Sequence, residues 1–313
     1  MLATIYLLVG FALLYIGGDA LVRGGAGLGL RWGLSPLVVG LTIVAFGTGS
    51  PELVVALDAA LRGYGDVAIG NVVGSNICNI GLILGIAALI RPMKVESKVV
   101  RFDAPIALGV TVLLILMLYD GGLSRLEGAV LFAGIVAYTV FTLWQTRRES
   151  KDVESEFKDE HRPSRYSTRL LLLMVGGGIA ALVVGGNLFV DGAVSLAETL
   201  GVSQALIALT VVALGTSLPE LATSIIASLR GHGDIAIGNV VGSNIFNVLA
   251  TLGAGALAAP LHRGDVQTFD LVAMLIIAAL LIPLLYWRFT LGRWRGILLL
   301  FAYLFYIAMR AAG

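Results

Sequence analysis

One cysteine, Cys78, stands in 313 residues, so no internal disulfide and no disulfide scaffold can form. The three histidines, His161, His232 and His262, are scattered and read as loop residues, which argues against a zinc site or a histidine proton relay. Charge is also scarce. Asp, Glu, Lys and Arg make up 13% of the chain, against about 25% in soluble domains. That leaves too little polar surface to cover a globule in water, which excludes a soluble enzyme. The net charge of +1 offers nothing to a nucleic-acid partner, and no collagen-like G-X-Y period is present. Apolar residues are abundant at 58%, with a mean hydropathy of +0.94. Glycine is abundant too, at 40 residues, roughly twice the usual share of about 7%. These are the marks of a polytopic membrane protein whose helices pack closely or are broken.

A membrane helix needs about 20 mainly apolar residues. The hydropathy pattern predicts ten spans, at 3–22, 34–61, 67–90, 99–119, 124–145, 169–190, 202–229, 235–258, 269–287 and 294–311. The first lacks a basic leader and a cleavage site and reads as a retained span. The charged stretch 146–168 reads as a solvated linker between halves 1–145 and 169–313. With the N-terminus outside, 17 Lys and Arg fall on the cytoplasmic side and 4 outside. This predicts both termini outside and the linker inside.

The same text occurs twice. Residues 41–53 read LTIVAFGTGSPEL and 209–221 read LTVVALGTSLPEL; residues 65–77 read GDVAIGNVVGSNI and 233–245 read GDIAIGNVVGSNI. Segments 41–85 and 209–253 share 28 of 45 residues in one register. Five spans per half is an odd number, so the second copy enters the membrane from the opposite side. That is an inverted repeat, a design that places binding sites near the midplane on discontinuous helices. Spans 2, 3, 7 and 8 are the expected broken helices.

Pro51 has no N–H and crowds the preceding turn, so the run Gly47-Thr48-Gly49-Ser50-Pro51-Glu52 predicts a break. Freed carbonyls and the Thr48 hydroxyl are hard oxygen ligands that suit Na⁺ or Ca²⁺. Pro51 fits the start of a new half-helix, which puts Glu52 in a first turn, where the helix dipole favours a carboxylate. Gly215 to Glu220 repeat every part of this, with Thr216, Ser217 and Pro219. Two carboxylates in the bilayer are costly and repel each other. One Ca²⁺, two Na⁺ or two protons would neutralise them, which describes an exchange site. Asn71, Ser75 and Asn79 form one helical stripe, as do Asn239, Ser243 and Asn247. The amide and hydroxyl oxygens of Ser75, Asn79, Ser243 and Asn247 can complete a coordination shell. Asn71 and Asn76 read better as interhelical hydrogen-bonding residues. Asp66 and Asp234 read as helix caps, Asp58 as an i,i+4 partner of Arg62, and Cys78, which matches Phe246, as packing. Asp19 and Asn187 occupy matching positions.

The doubled G-T-x-x-P-E and G-N-V-V-G-S-N-I-x-N segments resemble the two α-repeats of the sodium/calcium exchanger family, within the calcium/cation antiporter superfamily. The likeness is to prokaryotic-type members, since the linker is too short for the regulatory domains of animal relatives. The resemblance implies an all-α membrane protein of ten helices in two inverted five-helix repeats. It implies no catalytic residue and no cofactor, with Ca²⁺ and Na⁺ as transported ions. By resemblance, Glu52 and Glu220 are the central carboxylate ligands. Thr48, Thr216 and Ser217 ligate through backbone or hydroxyl oxygen, the backbone of Ala45 and Ala213 lies close by, and Ser75, Asn79, Ser243 and Asn247 complete the set. The family exchanges several Na⁺ for one Ca²⁺ by alternating access, with spans 1 and 6 sliding over the core, which implies a multi-pass protein of the plasma membrane. Two departures stand out. Gly49 replaces the family's usual serine, so one hydroxyl is lost or shifted to Ser50. Asn247 is Asp in some members, notably potassium-dependent ones. A H⁺/Ca²⁺ exchanger, an exchanger of another divalent cation and a cation channel are the alternative readings.

Overall fold

The computed structural model describes residues 2–160, 166–200 and 213–312. Parts of the expected linker 146–168 and of the expected seventh span 202–229 lie outside the described residues. The helices are α1 (Leu2–Trp32), α2 (Pro36–Thr48), α3 (Ser50–Leu61), α4 (Gly65–Ile90), α5 (Val99–Asp120), α6 (Arg125–Glu160), α7 (Thr168–Thr199), α8 (Ala213–Gly215), α9 (Leu218–Leu229), α10 (Gly233–Ala258), α11 (Thr268–Tyr286) and α12 (Arg293–Ala312). Among the described residues eight helices are long and apolar enough to cross a membrane, or nine if the bent pair α2 and α3 is one span. Helix α6 runs past its apolar part to Glu160, into the stretch expected as linker; its Glu, Lys and Arg are good helix formers.

Local chemistry sets the ends. Ser35 caps α2, its hydroxyl accepting from the Val38 N–H at 3.4 Å, with Pro36 at the first helical position. Ser167 caps α7 in the same way through Leu170. Asp66 and Asp234 do not cap. Helices α4 and α10 open one residue earlier, at Gly65 and Gly233, which leaves both carboxylates in the first turn. The Asp66 side chain accepts from the Val67 N–H at 2.9 Å.

Helices α4 and α10 are not broken, contrary to the expectation for spans 3 and 8. No proline interrupts either helix, and each instead winds a π-helical segment, Asn79–Leu84 and Asn247–Leu252. Such segments spread one extra residue over a turn and are frequent at functional sites. The whole apolar window of α10 is buried, which puts the second motif at the centre of the bundle.

The two halves mirror each other in detail. Asn76 and Asn244 bond across an offset of 168 residues. The same offset turns one β-bridge, Met93–Lys94 with Thr290–Leu291, into the other, Leu261–His262 with Gly122–Leu123. Helices α1 and α7 pack backbone to backbone along glycines. A Cβ on Gly17 would lie 2.8 Å from the Gly178 carbonyl oxygen, and a Cβ on Gly178 would lie 2.8 Å from that of Gly17. Small residues permit this approach in the absence of a hydrophobic drive between helices in lipid.

Candidate cation site

The chain breaks where proline and glycine predict it. Gly49 leaves the helical conformation at φ −78° and ψ 0°, and α3 departs at 44° from α2 with Pro51 and Glu52 in its first turn. Ser217 does the same at φ −87° and ψ 3°, ahead of Pro219 and Glu220 in α9. Both glutamates are wholly buried, and each sits in the electrostatic field of the other. Among the described residues none of their four carboxylate oxygens accepts a well-formed hydrogen bond; the Thr216 hydroxyl lies beside Glu52 and the Thr48 hydroxyl beside Glu220. The ion pairs found among the described residues fall on Asp19, Asp58 and Asp270 instead. Two buried carboxylates with no basic side chain paired to them among the described residues cost several kcal/mol each. The arrangement therefore suits a positively charged guest.

Neighbouring polar groups are held by bonds that cross between the repeats. The Thr48 hydroxyl donates to Asn239 Oδ1 at 3.1 Å, and the Thr216 hydroxyl donates to Asn71 Oδ1 at 3.3 Å. Each hydroxyl also lies beside a glutamate of the opposite repeat, Thr48 beside Glu220 and Thr216 beside Glu52, and has lone pairs that could face a cation. Asn76 and Asn244 donate to each other's backbone carbonyl, at 3.2 and 3.1 Å. Their side-chain oxygens in turn accept from Asn247 Nδ2 at 3.1 Å and Asn79 Nδ2 at 3.0 Å. The amide N–H₂ groups of Asn79 and Asn247 are thus pinned, and their Oδ1 atoms are left buried without a donor among the described residues. Asn71 and Asn76 do serve as the interhelical bonding residues that the sequence indicated. The orienting role of Asn76 and Asn244 was not read from the sequence, although their place three residues before Asn79 and Asn247 was a signal.

The hydroxyls are less symmetric. Ser217 Oγ bonds Ser75 Oγ at 3.3 Å, while Ser243 Oγ is buried without a partner among the described residues. Ser50 does not replace a hydroxyl at position 49, since its Oγ donates to the Phe46 carbonyl at 2.7 Å. Ala45 is buried and its carbonyl accepts from the Gly49 N–H at 2.9 Å, which leaves one lone pair; Ala213 stands at the matching place and is helical. Among the described residues no three of His, Cys, Asp and Glu cluster together. The donor set is two carboxylates with neutral oxygens, which suits hard cations.

A cavity of about 370 Å³ reaches this region from the α7 side, lined among others by Pro51, Gly186, Asn187, Asp191, Thr216 and Pro219. The counterpart of Asn187 in the first half is Asp19 on α1. Asp19 pairs with Arg23 at 3.1 Å and with Arg230 at the end of α9. Asp58 pairs with Arg62 at 2.8 Å, as the i,i+4 spacing indicated.

The sodium/calcium exchanger protein family matches residues 2–145 and 170–312. The putative antiporter CaxA of Alkalimonas amylolytica is 41% identical, over 83% of this chain and 82% of its own. The sodium/calcium exchanger MaX1 of Methanosarcina acetivorans is 32% identical, over 96% of this chain and 95% of its own. A solved structure of the sodium-calcium exchanger NCX_Mj, soaked with Na⁺ and Ca²⁺, superposes with a TM-score of 0.83 at 33% identity and covers 98% of both chains.

Proposed function

The chain belongs to the sodium/calcium exchanger family, and from that premise we propose that it exchanges Na⁺ for Ca²⁺ across the membrane by alternating access. The observation that carries this reading is the buried pair Glu52 and Glu220, which among the described residues is paired with no basic side chain and whose four oxygens accept no well-formed hydrogen bond. One Ca²⁺ or two Na⁺ would neutralise the pair, whereas an empty site leaves two buried charges uncompensated. An empty carrier is then disfavoured, and ions cross mainly by replacing one another.

Ten spans form two inverted five-helix repeats, 1–145 and 169–313, joined by the charged segment 146–168. The excess of Lys and Arg puts that segment in the cytoplasm and both termini outside. The cargo is held by Glu52, Glu220, the oxygens of Thr48, Thr216, Ser75, Ser217, Asn79, Ser243 and Asn247, and the backbone of Ala45 and Ala213. Support comes from the Oδ1 atoms of Asn79 and Asn247, unpartnered among the described residues, and from the Thr48 and Thr216 hydroxyls, which bond asparagines of the opposite repeat beside the two glutamates.

Glu52→Gln and Glu220→Gln test the assignment. Each leaves one negative charge against a divalent ion. Sodium-driven ⁴⁵Ca²⁺ uptake into proteoliposomes should fall to background for both, with normal insertion and an unchanged elution profile in detergent. Near-normal uptake by either variant removes that residue from the site.

A further inference from the structure

The cavity on the α7 side has a counterpart under the repeat offset. Its lining residues Val55, Asn187, Val190 and Asp191 correspond to Thr223, Asp19, Val22 and Arg23. The second set is shut: Thr223 and Val22 are wholly buried, and a Cβ on neighbouring Gly18 would meet Ile226 Cδ1 at 2.7 Å. The open cavity reaches Pro51 and Thr216, and the Thr216 hydroxyl lies beside Glu52. One mouth of the site is open and its counterpart closed.

The two mouths differ in charge. At the open one Asp191 is exposed, and no ion pair among the described residues falls on it. Asn187, one helical turn earlier on the same cavity, is neutral. Arg62, the counterpart of Arg230, is held by Asp58 on its own helix. The open mouth is left with one negative charge. At the closed mouth Arg23 stands in the place of Asp191, and Asp19 pairs with both Arg23 and Arg230. Ile226 stands in the place of Asp58, so Arg230 has no carboxylate four residues back. Two cations against one carboxylate leave one positive charge.

We infer that Asp191 is the cation-recruiting residue of the outer mouth, that Arg23 reverses the sign at the inner mouth, and that calcium affinity is thereby set separately on the two sides of the membrane. The inference rests on the exchange reading and the orientation given above. A fixed charge beside a path acts on a divalent ion with twice the energy it exerts on a monovalent one, so Asp191 favours Ca²⁺ over Na⁺ at entry. It raises the local cation concentration without ligating the ion, and salt weakens it. The surplus positive charge at the inner mouth lowers calcium occupancy there and speeds its release.

The test compares right-side-out and everted vesicles from cells expressing the chain, loaded with sodium and placed in sodium-free medium. External ⁴⁵Ca²⁺ then titrates the outer mouth in the first and the inner mouth in the second. In the wild type, raising the ionic strength from about 0.01 M to about 1 M with choline chloride should raise the half-saturating calcium of right-side-out vesicles several-fold and lower that of everted ones. For a charge about 8 Å from the ion in water, Asp191→Asn should raise half-saturation about fourfold and Asp191→Lys about sixteenfold in right-side-out vesicles at low salt. Both differences should vanish at about 1 M, where the screening length is about 3 Å, and everted vesicles should respond to neither variant. Arg23→Gln should lower half-saturation in everted vesicles alone. A substitution that merely biased the two conformations would move the two preparations in opposite directions and ignore salt. That pattern, or no shift, overturns the inference while leaving exchange intact. A salt-sensitive shift for Asp191 confined to everted vesicles overturns the orientation and the inference as stated. No sodium-driven uptake in the wild type overturns the exchange reading and the inference with it. If a variant does not insert, the wild-type salt dependence on the two sides decides alone.

Discussion

Asn76 and Asn244 carry no charge and point at each other, yet they decide where the Asn79 and Asn247 oxygens face. Groups that orient a metal ligand typically cost 10–100-fold in affinity when removed. Asn244→Ala should therefore raise the calcium concentration for half-maximal uptake by about tenfold or more, with little change in maximal rate, measured as ⁴⁵Ca²⁺ uptake against calcium concentration. An unchanged half-saturation would make the pair purely structural. Asn247 yields a second prediction. An Asp in this place would carry a third negative charge, which an extra monovalent cation could balance. A neutral amide cannot, so sodium-driven uptake should persist unchanged when potassium is absent from both sides. Collapse of uptake without potassium would mean that another group supplies the third charge, and Asp58 would be examined first. At this scale the sequence was informative wherever residues repeat, as for the glutamates, the threonines and the asparagine stripe. It was silent about the Phe246 ring against Gly49, because a contact between distant helices leaves no mark in spacing.

The broken helix is the element on which the site depends. Its interruption was legible because the cause is local: proline removes a donor and crowds the preceding turn, and glycine next to it accepts the bend. The π-helical segments of α4 and α10 were not legible, since no single residue announces the extra one. The tie between Asp19 on α1 and Arg230 at the end of α9 was hidden for another reason, being a tertiary contact between groups far apart in the chain. That tie has a consequence for access. It fastens α1 to the core on one face, whereas the matching Asn187 lines a cavity on the other. A partly exposed ion pair contributes about 0.5–1 kcal/mol, so Asp19→Asn should shift the balance away from this conformation by about two- to fivefold. The check is labelling of an Asn187→Cys variant with a membrane-impermeant maleimide, Cys78 being buried. The labelling rate should fall by that factor when Asp19→Asn is added, and an unchanged rate would deny the tie any part in access.

The whole molecule carries one design twice, and its β-bridges obey the same exchange of halves as its site. The doubled text made the likeness of the two halves readable in advance. The bridges themselves were not, as two-residue strands carry no period. A carrier with two equivalent carboxylates accepts two protons where it accepts one Ca²⁺, so protons should compete with calcium. Uptake measured at subsaturating calcium should fall as the medium is acidified from neutral, and raising calcium should restore it. A loss that saturating calcium cannot reverse would point to acid damage elsewhere. The central claim is that a sodium gradient moves calcium through this site. The direct measurement is ⁴⁵Ca²⁺ uptake into proteoliposomes with sodium, proton and potassium gradients imposed one at a time. Uptake should follow the outward sodium gradient alone and stop when sodium is equal on both sides; uptake driven by a proton gradient without sodium would contradict the account.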